Sequence, residues 1–223
     1  METMGHPTFD TFIFDLDGTL LDTLPDLVVL TNAALNEQGF PSRTTDEVHS
    51  FVGNGARALI YQAVPESATP EQAEETMRRW KELYPELGTK LTRPYLHLPE
   101  TIAALKARGI RLGVLSNKFD QGVTDVINEC LPDLFEVMHG ECDDIPRKPD
   151  PTGLLRTIRE LGSTPERTVY VGDSPGDVRV ARNAGTFAIG VAWGYHDAQD
   201  LRDAKADALI EDARELLDYA RLD

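Results

Sequence analysis

Cysteine is scarce: the 223 residues hold two, Cys130 and Cys142, in no metal-ligand spacing. This argues against a disulfide framework, and the pair reads as reduced thiols in a cytoplasmic protein. Long apolar runs are missing as well. The apolar stretch over residues 9–16 is broken by Asp10 and Asp15, so it has no signal-peptide pattern. No run approaches the roughly 20 apolar residues that a membrane span needs. Positive charge is also in short supply, with 22 Lys and Arg against 38 Asp and Glu and a formal charge of −16. Such a surface repels phosphate backbones and anionic lipid, so neither nucleic acid nor membrane is expected as a partner. A chain acting on an anion would have to concentrate its positive charge locally.

What is present is an alternation. Short apolar, partly β-branched runs at residues 11–14, 110–115, 136–139, 168–171, 187–191 and 208–210 read as strands. Helical patterns fall between them at 99–108, 121–130, 152–161, 177–184 and 212–220. Strands alternating with helices imply parallel strands joined by right-handed crossovers, hence an α/β fold with a doubly wound three-layer parallel sheet. One stretch breaks the alternation: residues 24–38, 45–51, 56–64 and 70–83 all read as helices, with no convincing strand among them. Thr69 is placed to cap the last of these, with Pro70 at its first position. Roughly 70 helical residues are too many for a crossover and suit a small inserted domain. The expected organisation is a core of residues 1–22 and 93–223 with an inserted all-α cap of residues 23–92.

In a doubly wound sheet, ligands bind at the carboxyl ends of the strands. The unusual polar residues of this sequence lie there. The first run is followed by Asp15-Leu16-Asp17-Gly18-Thr19. Two carboxylates so close need a cation or a shared proton, and Gly18 permits a tight loop. A solvated Asp-rich turn is the plain alternative. A second acidic cluster is Gly172-Asp173-Ser174-Pro175-Gly176-Asp177. A helix cap explains Asp177 well and Asp173 poorly. Together the clusters form an all-oxygen set, without His or Cys, that suits Mg²⁺. Lys148, pinned in Arg147-Lys148-Pro149-Asp150-Pro151, can neutralise both a carboxylate and a phosphate. The hydroxyl of Ser116 and the N–H of Asn117 can bind phosphate oxygens. A lone surface Lys or Ser would be uninformative.

Asp15-Leu-Asp-Gly-Thr-Leu-Leu-Asp-Thr, Ser116-Asn-Lys, Lys148-Pro-Asp-Pro and Gly172-Asp-Ser-x-x-Asp resemble, in order, the four motifs of the haloacid dehalogenase superfamily. The resemblance spans nearly the whole chain, helical cap included. It implies Asp15 as nucleophile, Asp17 as general acid/base, Ser116 as a phosphate ligand and Lys148 as the group that steadies nucleophile and phosphoryl. It further implies Mg²⁺ held by Asp15, the Asp17 carbonyl and Asp173, with Asp177 in support. Thr19, Asn117 and Lys118 fall with the substrate.

Dehalogenases of the superfamily lack the second carboxylate of the first motif, so Asp17 points away from dehalogenation. Its phosphomutases usually carry a His shortly after that motif, and Thr23-Leu-Pro-Asp-Leu-Val has none. A phosphatase of a small phosphorylated metabolite remains, as monomer or homodimer. Asp22-Thr-Leu-Pro-Asp-Leu and Phe51-Val-Gly-Asn-Gly-Ala-Arg-Ala-Leu-Ile look most like bacterial phosphoglycolate phosphatases. That places 2-phosphoglycolate first. A sugar phosphate, nucleotide or pyrophosphate comes next, then a phosphomutase, then a catalytically silent binding protein. In the cap, Gly55 allows backbone to approach a small substrate. Arg57 could pair with a carboxylate such as glycolate's, the plain alternative being a surface Arg. Gly53-x-Gly55-x-x-Ala58 also matches a loose dinucleotide fingerprint, but no strand precedes it. His97 reads as a loop residue, and Trp80 and Trp193 as packing residues. Tyr95-Leu-His-Leu-Pro-Glu departs from the Pro-Gly pair usual in relatives.

Overall fold

The first apolar run, Thr11–Phe14, forms β1 with all four residues buried. A strand covered on both faces belongs in the middle of a sheet. In the computed structural model, which describes residues 7–221, β1 lies between β4 (Arg111–Phe119) and β6 (Thr168–Gly172). β5 (Val137–Glu141) extends the sheet on one side; β7 (Phe187–Val191) and β8 (Ala208–Ile210) extend it on the other. Every pairing in this sheet is parallel.

Side-chain alternation along β1 separates two apolar clusters. Phe12 and Phe14 pack with α5 (Leu98–Ala107) and α6 (Asp120–Cys130) on one face. Ile13 packs with α7 (Thr152–Glu160) and α8 (Pro175–Ala184) on the other. The result is three layers. The strand order reverses at β1, so a crevice opens at its carboxyl end. Register then aligns the motifs: Phe14 sits opposite Val114 and Val171, which brings Asp15 level with the approaches to Ser116 and Asp173.

Four helices are inserted between β1 and α5: α1 (Leu24–Glu37), α2 (Thr45–Phe51), α3 (Gly55–Ala63) and α4 (Pro70–Leu87). They bury a cluster of their own around Leu30, Val48, Ile60 and Trp80. Capping boxes at Thr44 with Glu47 and at Thr69 with Gln72 satisfy two of the N-termini. The two tethers of the insert run side by side, β2 (Leu21–Asp22) pairing antiparallel with β3 (Arg93–Pro94). Buried Asp26 ties them further, accepting from the N–H groups of Leu91 and Thr92 and from the Thr92 hydroxyl at 2.6–2.9 Å.

Some boundaries differ from the expected ones. α4 continues past residue 83 through Pro85 to Leu87. Trp80 and Tyr84 are buried against Phe119 of the core, and that packing holds the last turn despite the missing N–H. β4 resumes after an irregularity beyond Leu115 and reaches Phe119, so Ser116, Asn117 and Lys118 are extended strand rather than loop. The segment expected as a helix over residues 212–220 is a 3₁₀ turn, Ala213–Asp218, capped by Asp212. The β2–β3 pair and a short ninth helix, Ala198–Asp203, are too brief to leave a periodic signal. Cys130 and Cys142 are both free. No helix of the described residues is long and apolar enough to cross a membrane.

Candidate active site

At the end of β1 the chain turns tightly. The Leu16 carbonyl accepts from the N–H groups of Thr19, Leu20 and Leu21. Gly18 sits at a φ of +82°, and a Cβ there would lie 2.5 Å from Asp173 Oδ2. Only glycine lets this loop meet the second acidic loop so closely.

Asp15, Asp173 and Asp177 are buried, and each offers an oxygen within 4.8 Å of the others. Three carboxylates at that spacing repel strongly. Lys148 Nζ answers them, lying 2.8 Å from Asp15 Oδ1, 2.7 Å from Asp177 Oδ1 and 3.0 Å from the Tyr170 hydroxyl. Burial opposes the lysine's charge, yet Asp15 and Asp177 hold it well above the usual lysine range. Asp173 accepts from the Thr19 hydroxyl at 3.1 Å and the Tyr195 N–H at 2.7 Å. Asp177 closes the cap of α8, accepting from the Ser174 N–H at 2.9 Å and its hydroxyl at 2.6 Å.

One ammonium does not balance three carboxylates. Asp15 Oδ1 is buried with no aligned hydrogen bond, although Lys148 stands beside it. Burial pushes Asp15 up to about 7; Lys148 opposes this, and Asp177 and Asp173 reinforce it. Surplus negative charge and an unsatisfied buried oxygen in an all-carboxylate set fit a hard divalent cation such as Mg²⁺.

Asp17 turns away from that cluster. Its Oδ1 accepts from the Thr23 hydroxyl at 2.6 Å and pairs with Lys118 Nζ at 3.3 Å. Lys118 is itself buried, with its ammonium over the Tyr84 ring. Asn117 bridges core and insert: its amide donates to the Gly53 carbonyl at 2.9 Å, and its Oδ1 accepts from the Lys148 N–H at 2.8 Å. Above these groups lies a cavity of about 550 Å³, with Asp15, Ser116 and Lys148 on its floor and His49, Leu59 and Trp80 of the insert in its roof.

Among the residues singled out in the sequence, Asp15, Asp17, Gly55, Ser116, Asn117, Lys118, Lys148 and Asp173 line this cavity. Asp177 stands behind Lys148, off the wall. Thr19 is fully buried and serves Asp173 rather than facing the cavity. Arg57 requires a correction. It lies on the outer surface of the insert, its side chain 60% exposed, paired with Glu74 and the Tyr61 hydroxyl. It is not among the residues that line the cavity, which agrees with the surface reading. Gly55, at a φ of +80°, brings insert and core into contact: a Cβ there would lie 2.6 Å from Glu141 Oε2. His97 is a loop residue paired with Glu100, and Trp80 and Trp193 pack against the two apolar clusters.

Tyr195 is a residue that sequence reasoning missed. Its N–H holds Asp173, while its hydroxyl accepts from the N–H groups of Thr23 and Leu24, both at 2.9 Å, in the first tether of the insert. His49, Arg179 and His196 also line the cavity unforeseen. Tyr195 and His196 follow β7, and the strand-end rule that found Asp15 and Asp173 covers them too.

A family model described as haloacid dehalogenase-like hydrolase matches residues 12–191. A phosphoglycolate phosphatase of Vibrio vulnificus is 36% identical over 214 residues, covering 92% of this chain and 93% of the relative. An N-acetylmuramic acid 6-phosphate phosphatase of Pseudomonas aeruginosa is 33% identical over 215 residues, covering 92% of each chain. The crystal structure of a predicted phosphoglycolate phosphatase from Haemophilus somnus has a TM-score of 0.88 at 30% identity, covering 96% of this chain and 98% of the other. With the four motifs gathered at one cleft and the family match running from β1 to the end of β7, this chain belongs to the haloacid dehalogenase-like hydrolases.

Proposed function

We propose that this chain is a Mg²⁺-dependent phosphomonoesterase that works through a phosphoaspartate on Asp15. The observation that carries this reading is the separation of the first motif's two carboxylates. Asp15 faces Lys148 and the acidic cluster, whereas Asp17 is held apart by Thr23 and Lys118. An Asp15 oxygen attacks phosphorus in line, and the ester P–O bond breaks as the new one forms. The departing alkoxide takes its proton from Asp17. Asp17, now a carboxylate, removes a proton from the water that cleaves the acyl phosphate and restores Asp15. Lys148, the Ser116 hydroxyl and nearby backbone N–H groups hold the phosphoryl oxygens. Asp15, Asp173 and the Asp17 carbonyl would hold Mg²⁺, with Asp177 fixing Lys148 behind them. When bound, the ion offsets negative charge on the phosphoryl oxygens. In this reading residues 1–22 and 93–223 perform the chemistry, and residues 23–92 close over the leaving group.

The leading substrate is 2-phosphoglycolate, by likeness to the Vibrio vulnificus relative. A larger hydroxy acid phosphate is favoured by the cavity of about 550 Å³, which lies within the range that holds drug-sized ligands. The names of both relatives describe leaving alcohols that carry a carboxylate. Rapid acid quench with a radiolabelled phosphoester tests the mechanism. A hydroxylamine-sensitive acyl phosphate is expected on Asp15 and is absent from Asp15→Asn. Steady turnover with no trappable acyl phosphate would sink the proposal.

A further inference from the structure

Most cations near the cleft already have partners. Lys148 is held by Asp15 and Asp177, Lys118 by Asp17, and Arg57 by Glu74 on the outside of the insert. Arg179 differs. It lines the cavity together with Asp15 and Lys148, and among the described residues no carboxylate pairs with it. In a chain with 38 acidic residues, an exposed guanidinium left unpaired at the edge of that cavity is informative.

Its direction follows from helix geometry. Pro175 and Gly176 precede it by four and three residues on α8 and line the same cavity, whereas Val178 and Ala181 are buried in the core. Helical side chains lean toward the N-terminus of their helix, so a long side chain at 179 covers the turn begun by Pro175 and Gly176. That turn adjoins the acidic cluster. Gly176 puts no side chain in the way, and a Cβ there would meet only Ser174 Oγ, at 3.2 Å.

We infer that Arg179 is the specificity residue that reads a carboxylate on the leaving alcohol, the role expected of Arg57, which pairs with Glu74 instead. A planar guanidinium suits a carboxylate because it can donate two parallel hydrogen bonds. The inference rests on the phosphatase reading above. The test compares kcat/KM for 2-phosphoglycolate with that for 2-hydroxyethyl phosphate, an ester of similar length with no carboxylate. Full-length enzyme with Mg²⁺ is used, as wild type, Arg179→Ala and Arg179→Lys. Comparing each variant's ratio with that of the wild type cancels the intrinsic reactivity of the two esters. In Arg179→Ala the ratio is expected to fall about 10- to 100-fold, mainly through KM, as for loss of a hydrogen bond to a charged group. Arg179→Lys should retain part of the preference as a point charge. A ratio within twofold of wild type in Arg179→Ala, or an equal loss for both esters, overturns the inference. A wild-type protein that hydrolyses neither ester would instead count against the phosphatase reading itself.

Discussion

The floor and the roof of the cleft handle charge in opposite ways. On the floor, charged side chains are buried and answered by named partners: Lys148 by Asp15 and Asp177, Lys118 by Asp17, and Asp173 by Thr19 and Tyr195. In the roof, the wall is Leu27, Val52, Leu59 and Trp80 with His49 and Asn54 among them. The insert's ion pairs, Arg57 with Glu74, Arg78 with Glu75 and Arg79 with Glu37, lie on its surface. Exposed pairs contribute about 0–1 kcal/mol, whereas removing one partner of a buried pair costs about 3–5 kcal/mol. Substitutions on the floor should therefore abolish chemistry, and those on the outer surface of the insert should be nearly silent.

Asp15→Asn gives the largest effect. Turnover is expected to fall on the order of 10⁴- to 10⁶-fold, as for loss of other covalent nucleophiles, in a protein that remains folded by circular dichroism. A loss of less than a hundredfold would break the contrast at its strongest point. Asp17→Asn follows, with a loss of about 10²- to 10⁴-fold on alkyl phosphates, whose alkoxides need a proton. The loss should be smaller on p-nitrophenyl phosphate, and equal losses would remove Asp17 from the acid role.

Metal binding adds a pH test of the floor. Asp15 stands near 7 against an ordinary 3.8. Without metal, the folded protein keeps that proton across a window in which the unfolded chain has released it. The stability Asp15 contributes is thus present at low pH and is lost as pH rises through about 7. Mg²⁺ has to displace the same proton, so its affinity should rise with pH, by at most about tenfold per unit below 7. Calorimetric titration at pH 6, 7 and 8 measures the affinity, and the Mg²⁺-induced rise in Tm should grow over the same range. Affinity independent of pH would show that Asp15 is not a ligand.

Smaller effects belong to the insert. Gly55→Ala forces a side chain into a left-handed position facing Glu141, with an expected loss of about 1–3 kcal/mol in urea unfolding. The acyl phosphate should still form in that variant; its disappearance would mean that Gly55 takes part in the chemistry. Arg57→Ala is expected to change stability by less than about 0.5 kcal/mol and to leave kcat/KM for 2-phosphoglycolate unaltered. A selective rise in KM for that ester would return Arg57 to the cavity.

Arg57 and Arg179 show where a sequence ceases to be legible. Both are arginines in the first half of a helix, and only Arg57, with glycines beside it, stands out in the sequence. What separates them in the structure is Glu74, 17 residues away from Arg57 and paired with it, and the face of α8 that turns toward the cleft. The same limit applies to α4, whose Pro85 suggests an ending that the packing of Trp80 and Tyr84 overrides.

By itself, the sequence determined the parallel sheet, the helical insertion after the first strand, and the placing of Asp15 and Asp173 at strand ends. These depend on neighbouring residues, because an apolar run, a tight glycine loop and a cap are settled within a few positions. Only the tertiary structure decided the partners. Lys118 meets Asp17 across 101 residues, and the Tyr195 hydroxyl meets the Thr23 N–H across 172. Such contacts form only after the strands have stacked in register and the insert has folded back. Until then, nothing in the local chain distinguishes a lysine that holds an acid from one that faces water.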